Sequence, residues 1–264
     1  MNIVRRELRA YSKALIIWSI CIILFTVLAL VKYEGFAAMG NEANEILESL
    51  PDFMKNIFGM ASINLAMMKD YYAILFVYYV LIAGIHAVML GATIISKEAR
   101  DKTGDFLMVK PVTRAYIITN KVLAGFISIL IINIVICLSS IILVDIYNDG
   151  ESITTGIIYL CLVLFIIQCI FLSIGLAISA LTKSSKKATN ISTAIILVMY
   201  FLDIVIKISD DLNFVKYATP FAYFDPNKVI MGNGINSLYI VLSIIIIVIS
   251  VIITYTNYQR KDIL

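Results

Sequence analysis

The sequence predicts an all-α polytopic membrane protein with six transmembrane helices, and three observations carry that expectation. Of its 264 residues, 61% are hydrophobic and only 15% charged, against roughly 25% charged in a soluble domain. So apolar a surface needs lipid as its solvent. Apolar runs at 14–31, 71–96, 122–144, 154–182, 188–206 and 238–256 are each close to, or longer than, the roughly 20 residues a helix needs to cross hydrocarbon. The runs are apolar on every face, whereas barrel strands are about 10 residues long and alternate in polarity. The whole chain, 1–264, reads as a single transmembrane domain.

The first run is too long for a signal-peptide core and has no small-residue cleavage pattern after it, so it is expected to remain as a span. Ahead of it, MNIVRRELRAYSK places Val4, Leu8 and Tyr11 on one helical face and Arg5, Arg9 and Lys13 elsewhere. This predicts an amphipathic helix in the headgroup layer, or a basic anchor that orients the first span. The lysines and arginines orient the rest. With the N-terminus inside, 15 of the 21 fall in inner segments, which predicts a multi-pass protein of the cell membrane with both termini cytoplasmic.

All four prolines (Pro51, Pro111, Pro220 and Pro226) fall between runs, where a missing backbone donor costs little. In the first outer loop, Ile46, Leu47, Leu50, Phe53, Met54, Ile57 and Phe58 recur at helical spacing. Pro51 is expected to split this stretch into two short helices, with Gly59 closing the second. The stripe would pack on the outer ends of the other helices or the lipid surface, or form a lid over an exit path. The outer segment before the last span, FVKYATPFAYFDPNKVIMGNG, interleaves aromatics and prolines. It predicts a re-entrant or interfacial hairpin, or an aromatic belt at headgroup level.

The inner loop between spans two and three reads SKEARDKTGDFLMVKPVTRAYIITNK. It opens with i,i+4 charge pairs, Lys97 to Asp101 and Glu98 to Lys102. Phe106, Leu107 and Val109 then form an apolar ridge among charges, and Pro111 ends it. A turn between helices would need only a few residues. A charged element with an exposed ridge suits docking on a soluble partner, or else is a solvated hairpin with interfacial aromatics.

Polar groups inside the spans are few. Asp203 stands four residues before Lys207, which predicts an ion pair near the outer end of span five, with a substrate or proton role as the alternative. His86 lies mid-span and is expected to be neutral and bonded to a neighbouring helix. Asn133 and Gln168 suit interhelical hydrogen bonds or a pathway lining. Ser173, Gly175, Ala177 and Ser179 give small residues at four-residue spacing, which permits close helix contact. The four cysteines, all within apolar runs, read as small hydrophobes.

One histidine and no paired cysteines predict no metal site, no nucleophile–base pair predicts no catalysis, and no GxxxxGK[ST] predicts no P-loop in this chain. A net charge of +3 gives no reason to expect nucleic acid. A self-contained secondary transporter or channel would call for inverted repeats and ionisable groups at the midplane. The ionisable candidates are His86 and the peripheral Asp203. An intramembrane enzyme lacks candidate catalytic residues.

Four stretches, in order, resemble the ABC-2-type permeases, the membrane subunits of ATP-driven exporters. Residues 45–59, with ILESLPDFMKNIFG at their core, are similar to the family's outer amphipathic segment. KEARDKTGDFLMVKPVTRAYIITNK resembles its inner coupling segment, with acidic residue, Thr, Leu, Pro, Thr–Arg and Lys in sequence. Lys102-Thr103-Gly104-Asp105 departs from relatives that place Gly before Thr and Glu later, while the acidic-to-leucine spacing survives. YATPFAYFDPNKVI and the terminal YQRKDIL resemble the segments before and after the last span. The resemblance implies two such subunits, identical or siblings, and two separate ABC ATPase subunits that carry the ATP and Mg. It implies that Glu98, Arg100, Thr103, Phe106, Leu107, Lys110, Pro111 and Arg114 dock in an ATPase cleft and work as a coupling helix.

Overall fold

The computed structural model describes residues 2–57, 63–97, 113–182, 184–208 and 210–260. Among them, six helices are long and apolar enough to cross a membrane. They are α1 (Asn2–Met39), α4 (Met68–Ile94), α5 (Arg114–Tyr147), α6 (Thr154–Leu181), α7 (Ser185–Ile208) and α9 (Ser237–Arg260). Short helices α2 (Asn41–Glu48), α3 (Asp52–Ile57) and α8 (Pro226–Val229) complete the set among the described residues, with 3-10 turns at Asp210–Ala218 and Pro220–Ala222. Six crossings bring both termini to one face of the bundle, called here the terminal face; the opposite one is the far face.

The N-terminal segment is not a separate interfacial helix. It continues unbroken into the first span as one helix of 38 residues, about 57 Å long, nearly twice the hydrocarbon thickness of about 30 Å. The physical reason is that no Gly or Pro interrupts residues 2–34 to turn the chain. One side is buried through Val4 and Glu7 while Arg5 and Arg6 stay exposed, so the amphipathic pattern packs against protein. The helix stops at Gly40, whose φ of 55° is left-handed and whose N–H donates to the Phe36 and Ala37 carbonyls.

On the far face, Pro51 separates α2 from α3, as its ring predicts; Gly59 lies outside the described residues. Helix α2 buries Ala43 and Leu47 and is pinned by Asn44, whose amide donates to Asn64 Oδ1 at 2.9 Å. Its Oδ1 accepts from the Leu65 N–H at 3.0 Å. Of the apolar stripe, Leu47 and Leu50 pack on the far-face ends of α1 and α4, while Ile46, Phe53 and Met54 stay exposed and Phe58 lies outside the described residues. A cavity of about 490 Å³ opens there between Phe25, Lys32, Leu47, Tyr71 and Tyr78.

Helices α4 and α6 form the centre of the bundle. Their backbones meet at Gly91 and Gly175: a Cβ on Gly91 would overlap the Leu172 carbonyl, and one on Gly175 would overlap that of Val88. Of the small residues predicted in α6, Gly175 meets Val88, Gly91 and Ala92 of α4. Dispersion at this backbone-to-backbone approach replaces the hydrophobic drive that lipid removes.

The far-face segment before α9 turns back along α7. Thr219 donates to the Met199 carbonyl at 2.8 Å, about 13 Å in from the end of α7 at 1.5 Å per residue. Phe221 packs on Phe171 at 5.2 Å between ring centroids and on Tyr200 at 5.6 Å, and Tyr223 stacks on Tyr239 at 5.1 Å. Burial, with Tyr239 alongside, raises the Tyr223 phenol above its ordinary pKa. Its hydroxyl is satisfied by donating to the Tyr217 carbonyl at 2.8 Å.

Candidate functional site

The loop singled out in the sequence leaves α4 and returns into α5 on the terminal face. Glu98, Arg100, Thr103, Phe106, Leu107, Lys110 and Pro111 lie outside the described residues. Arg114 is the first residue of α5, where Thr113 caps the helix by accepting from the Tyr116 N–H at 3.2 Å. The two roots of the loop are therefore the end of α4 and the first turns of α5.

Both roots converge on one carboxylate. Glu7 of α1 is fully buried, and so is Lys121 of α5. Lys121 Nζ lies 3.8 Å from Glu7 Oε1 and donates to the Ile94 carbonyl, in the last residue of α4, at 2.5 Å. Lys97, just beyond α4, approaches Glu7 Oε2 at 3.9 Å, and Arg6 donates to Oε1 at 2.8 Å. Tyr11 donates to Thr93 Oγ1 at 3.3 Å while Lys97 sits 5.2 Å over the Tyr11 ring. Ile3 packs against Ile117. Sequence reasoning missed this cluster, because Glu7 is embedded in a basic stretch and Lys121 reads as a span boundary. A signal was present: a lone acid among Arg5, Arg6 and Arg9 on the stripe of Val4, Leu8 and Tyr11.

The polar residues of the spans fall into three separate places. Asn133 of α5 donates to the Cys161 carbonyl at 3.1 Å and to Gln168 Oε1 at 3.2 Å, joining α5 to α6. His86 of α4 is buried and meets α1 through the Trp18 ring, edge-on at 5.3 Å. Among the described residues its Nδ1 has no hydrogen-bond partner, so an aromatic contact stands where the expected interhelical bond would be. Asp203 is buried near the far end of α7 and accepts from Lys207 at 2.7 Å, the i,i+4 pair the spacing predicts. The pair lines a cavity of about 330 Å³ with Lys216, Phe221, Phe224 and Asp225, between α4, α7 and the turned-back segment.

Six apolar helices with few charged groups within them define a multi-pass membrane protein. The chain belongs to the ABC-2 family of transporter proteins, whose family model matches residues 1–263. It is thus a permease of an ABC-type transporter, a transport membrane domain and not a nucleotide-binding one. No curated protein matches the chain.

Proposed function

We propose that the chain is the membrane-spanning subunit of an ABC exporter in the cell membrane. It forms the pathway as a dimer, with a second copy or a sibling, and is driven by two separate ATP-binding subunits that hold ATP and Mg. The observation that carries this reading is the family match over 1–263. The lysine and arginine distribution supports a cytoplasmic terminal face, on which the loop between α4 and α5 would be within reach of a cytoplasmic ATPase. On that loop, Phe106, Leu107 and Pro111 supply the apolar contact. Glu98, Arg100, Lys110 and Arg114 set its orientation as a charged rim, with the Thr103 hydroxyl as a polar contact. A self-contained transporter is the weaker reading, since His86 packs on Trp18 and Asp203 is already paired with Lys207.

Affinity capture of an ATPase encoded beside this chain tests the docking role. Phe106→Asp with Leu107→Asp should weaken capture at least about tenfold, as expected for loss of an interface hot spot. Undiminished capture would remove this loop from the interface. Orientation has its own check. Single cysteines replacing Asp149, Asn233 or Lys186, in a background without native cysteines, would meet an impermeant thiol reagent in intact cells. Positions 149 and 233 should react and position 186 should not; the reverse pattern would invert the topology.

A further inference from the structure

We infer that Glu7 is a positioning residue that locks the inner end of α1 to both roots of the loop between α4 and α5, so that displacement of the loop is carried into the first span. The inference rests on the proposed docking of an ATPase on that loop and adds the route by which its movement enters the membrane.

Three helix ends meet at one buried carboxylate. Lys121 comes from the α5 root at 3.8 Å and Lys97 from the α4 root at 3.9 Å, while Glu7 itself sits on α1. Lys121 also holds the Ile94 carbonyl at 2.5 Å, so the two roots are tied to each other as well as to α1. With Glu7 and Lys121 both fully buried, pulling them apart would strand two charges away from water. The attraction resisting that separation is far stronger there than at a surface. The block therefore moves as a unit. Tyr11 to Thr93 and Ile3 to Ile117 brace it on either side.

Further along, α1 lies at the edge of the bundle, packed along α5: 22% of its apolar stretch is buried within the chain, against 67% for the central α4. A loop pushed by a partner would rock α1 about its far-face contacts, Tyr33 with the Ala66 carbonyl at 3.1 Å and Tyr71 with the Ala29 carbonyl at 2.6 Å. The 490 Å³ cavity between α1, α2 and α4 lies at that end and would change shape with the tilt.

The test uses the full chain purified with its captured ATPase and reconstituted into phosphatidylcholine vesicles. In a background lacking Cys21, Cys137, Cys161 and Cys169, a single cysteine replaces the exposed Lys32 at the far end of α1. Its rate of reaction with a maleimide is followed with and without Mg-ATP and vanadate. The unaltered clamp should show a rate change of about fivefold, the low end of ordinary coupling between sites. Glu7→Gln should abolish that change while ATPase capture stays intact.

Because Glu7→Gln removes a buried carboxylate partner of Lys121 and could unfold the chain, the second variant is Glu7→Leu with Lys121→Met, an apolar replacement of the pair that should keep near-normal stability. It too should lose the ATP-dependent change. A merely structural clamp predicts the opposite, a stable double variant with the full response, and that result overturns the inference. So does a captured ATPase with no response at position 32 in the unaltered clamp. Failure to capture any ATPase sinks the proposed function and this inference with it.

Discussion

Gly91→Val should separate α4 from α6 and lower stability by more than about 3 kcal/mol, beyond the usual range for overpacking a core. The reason is what the new side chain meets. At Gly91 even a Cβ overlaps the Leu172 carbonyl and stands 2.9 Å from the Leu176 nitrogen, both backbone atoms that cannot rotate aside. The opposing Gly175 is equally confined, by the Val88 carbonyl and the Ala92 nitrogen at 2.9 Å. Gly125 is the control. A Cβ there meets the end of the Leu172 side chain at 3.2 Å, which has rotamers to spare. Gly125→Ala should therefore leave thermal unfolding in detergent close to normal, while Gly91→Val shifts it strongly downward. Equal midpoints for the two variants would mean that α4 and α6 do not cross at these glycines.

Glu7→Ala should cost about 3–5 kcal/mol, the range for removing one partner of a buried ion pair. Its effect exceeds what a position in an N-terminal basic stretch suggests, because Glu7 is fully buried beside the equally buried Lys121, which would lose this carboxylate partner. The Ile94 carbonyl still accepts from Lys121, but a neutral carbonyl does not replace a carboxylate. Thermal unfolding followed by Trp18 fluorescence, which reports on the middle of α1, measures the loss. Arg5→Ala, an exposed neighbour on the same helix, should change stability by less than about 0.5 kcal/mol. Equal losses for the two variants would show that Glu7 is not buried with its cations.

Much of the architecture was legible in the sequence because lipid simplifies the code. Long apolar runs can only be helices, and the helix break at Pro51 and the pairing of Asp203 with Lys207 follow from local geometry. The far-face aromatics could be read as a segment that needs protein around it, and Phe221 and Tyr223 are indeed buried. What stayed hidden depends on partners distant in the chain. The small residues of α6 were visible, but the meeting of Gly175 with Gly91 required knowing which part of α4 lies opposite. His86 looked like a hydrogen-bonding residue, and nothing local foretold the Trp18 ring beside it. Glu7 was concealed by its surroundings: three arginines nearby in sequence suggest a solvated surface, whereas its buried partner comes from α5. Lys121 was equally misleading, since a lysine next to an apolar run ordinarily marks water, and here it marks a buried carboxylate.

The central claim is a division of labour, in which this chain provides the membrane pathway and a second polypeptide provides the chemistry. Measuring ATP hydrolysis by the purified chain, alone and with its captured partner, tests this most directly. The account predicts no hydrolysis by the chain alone and Mg-dependent hydrolysis once the partner is present. Hydrolysis by the chain alone would contradict it.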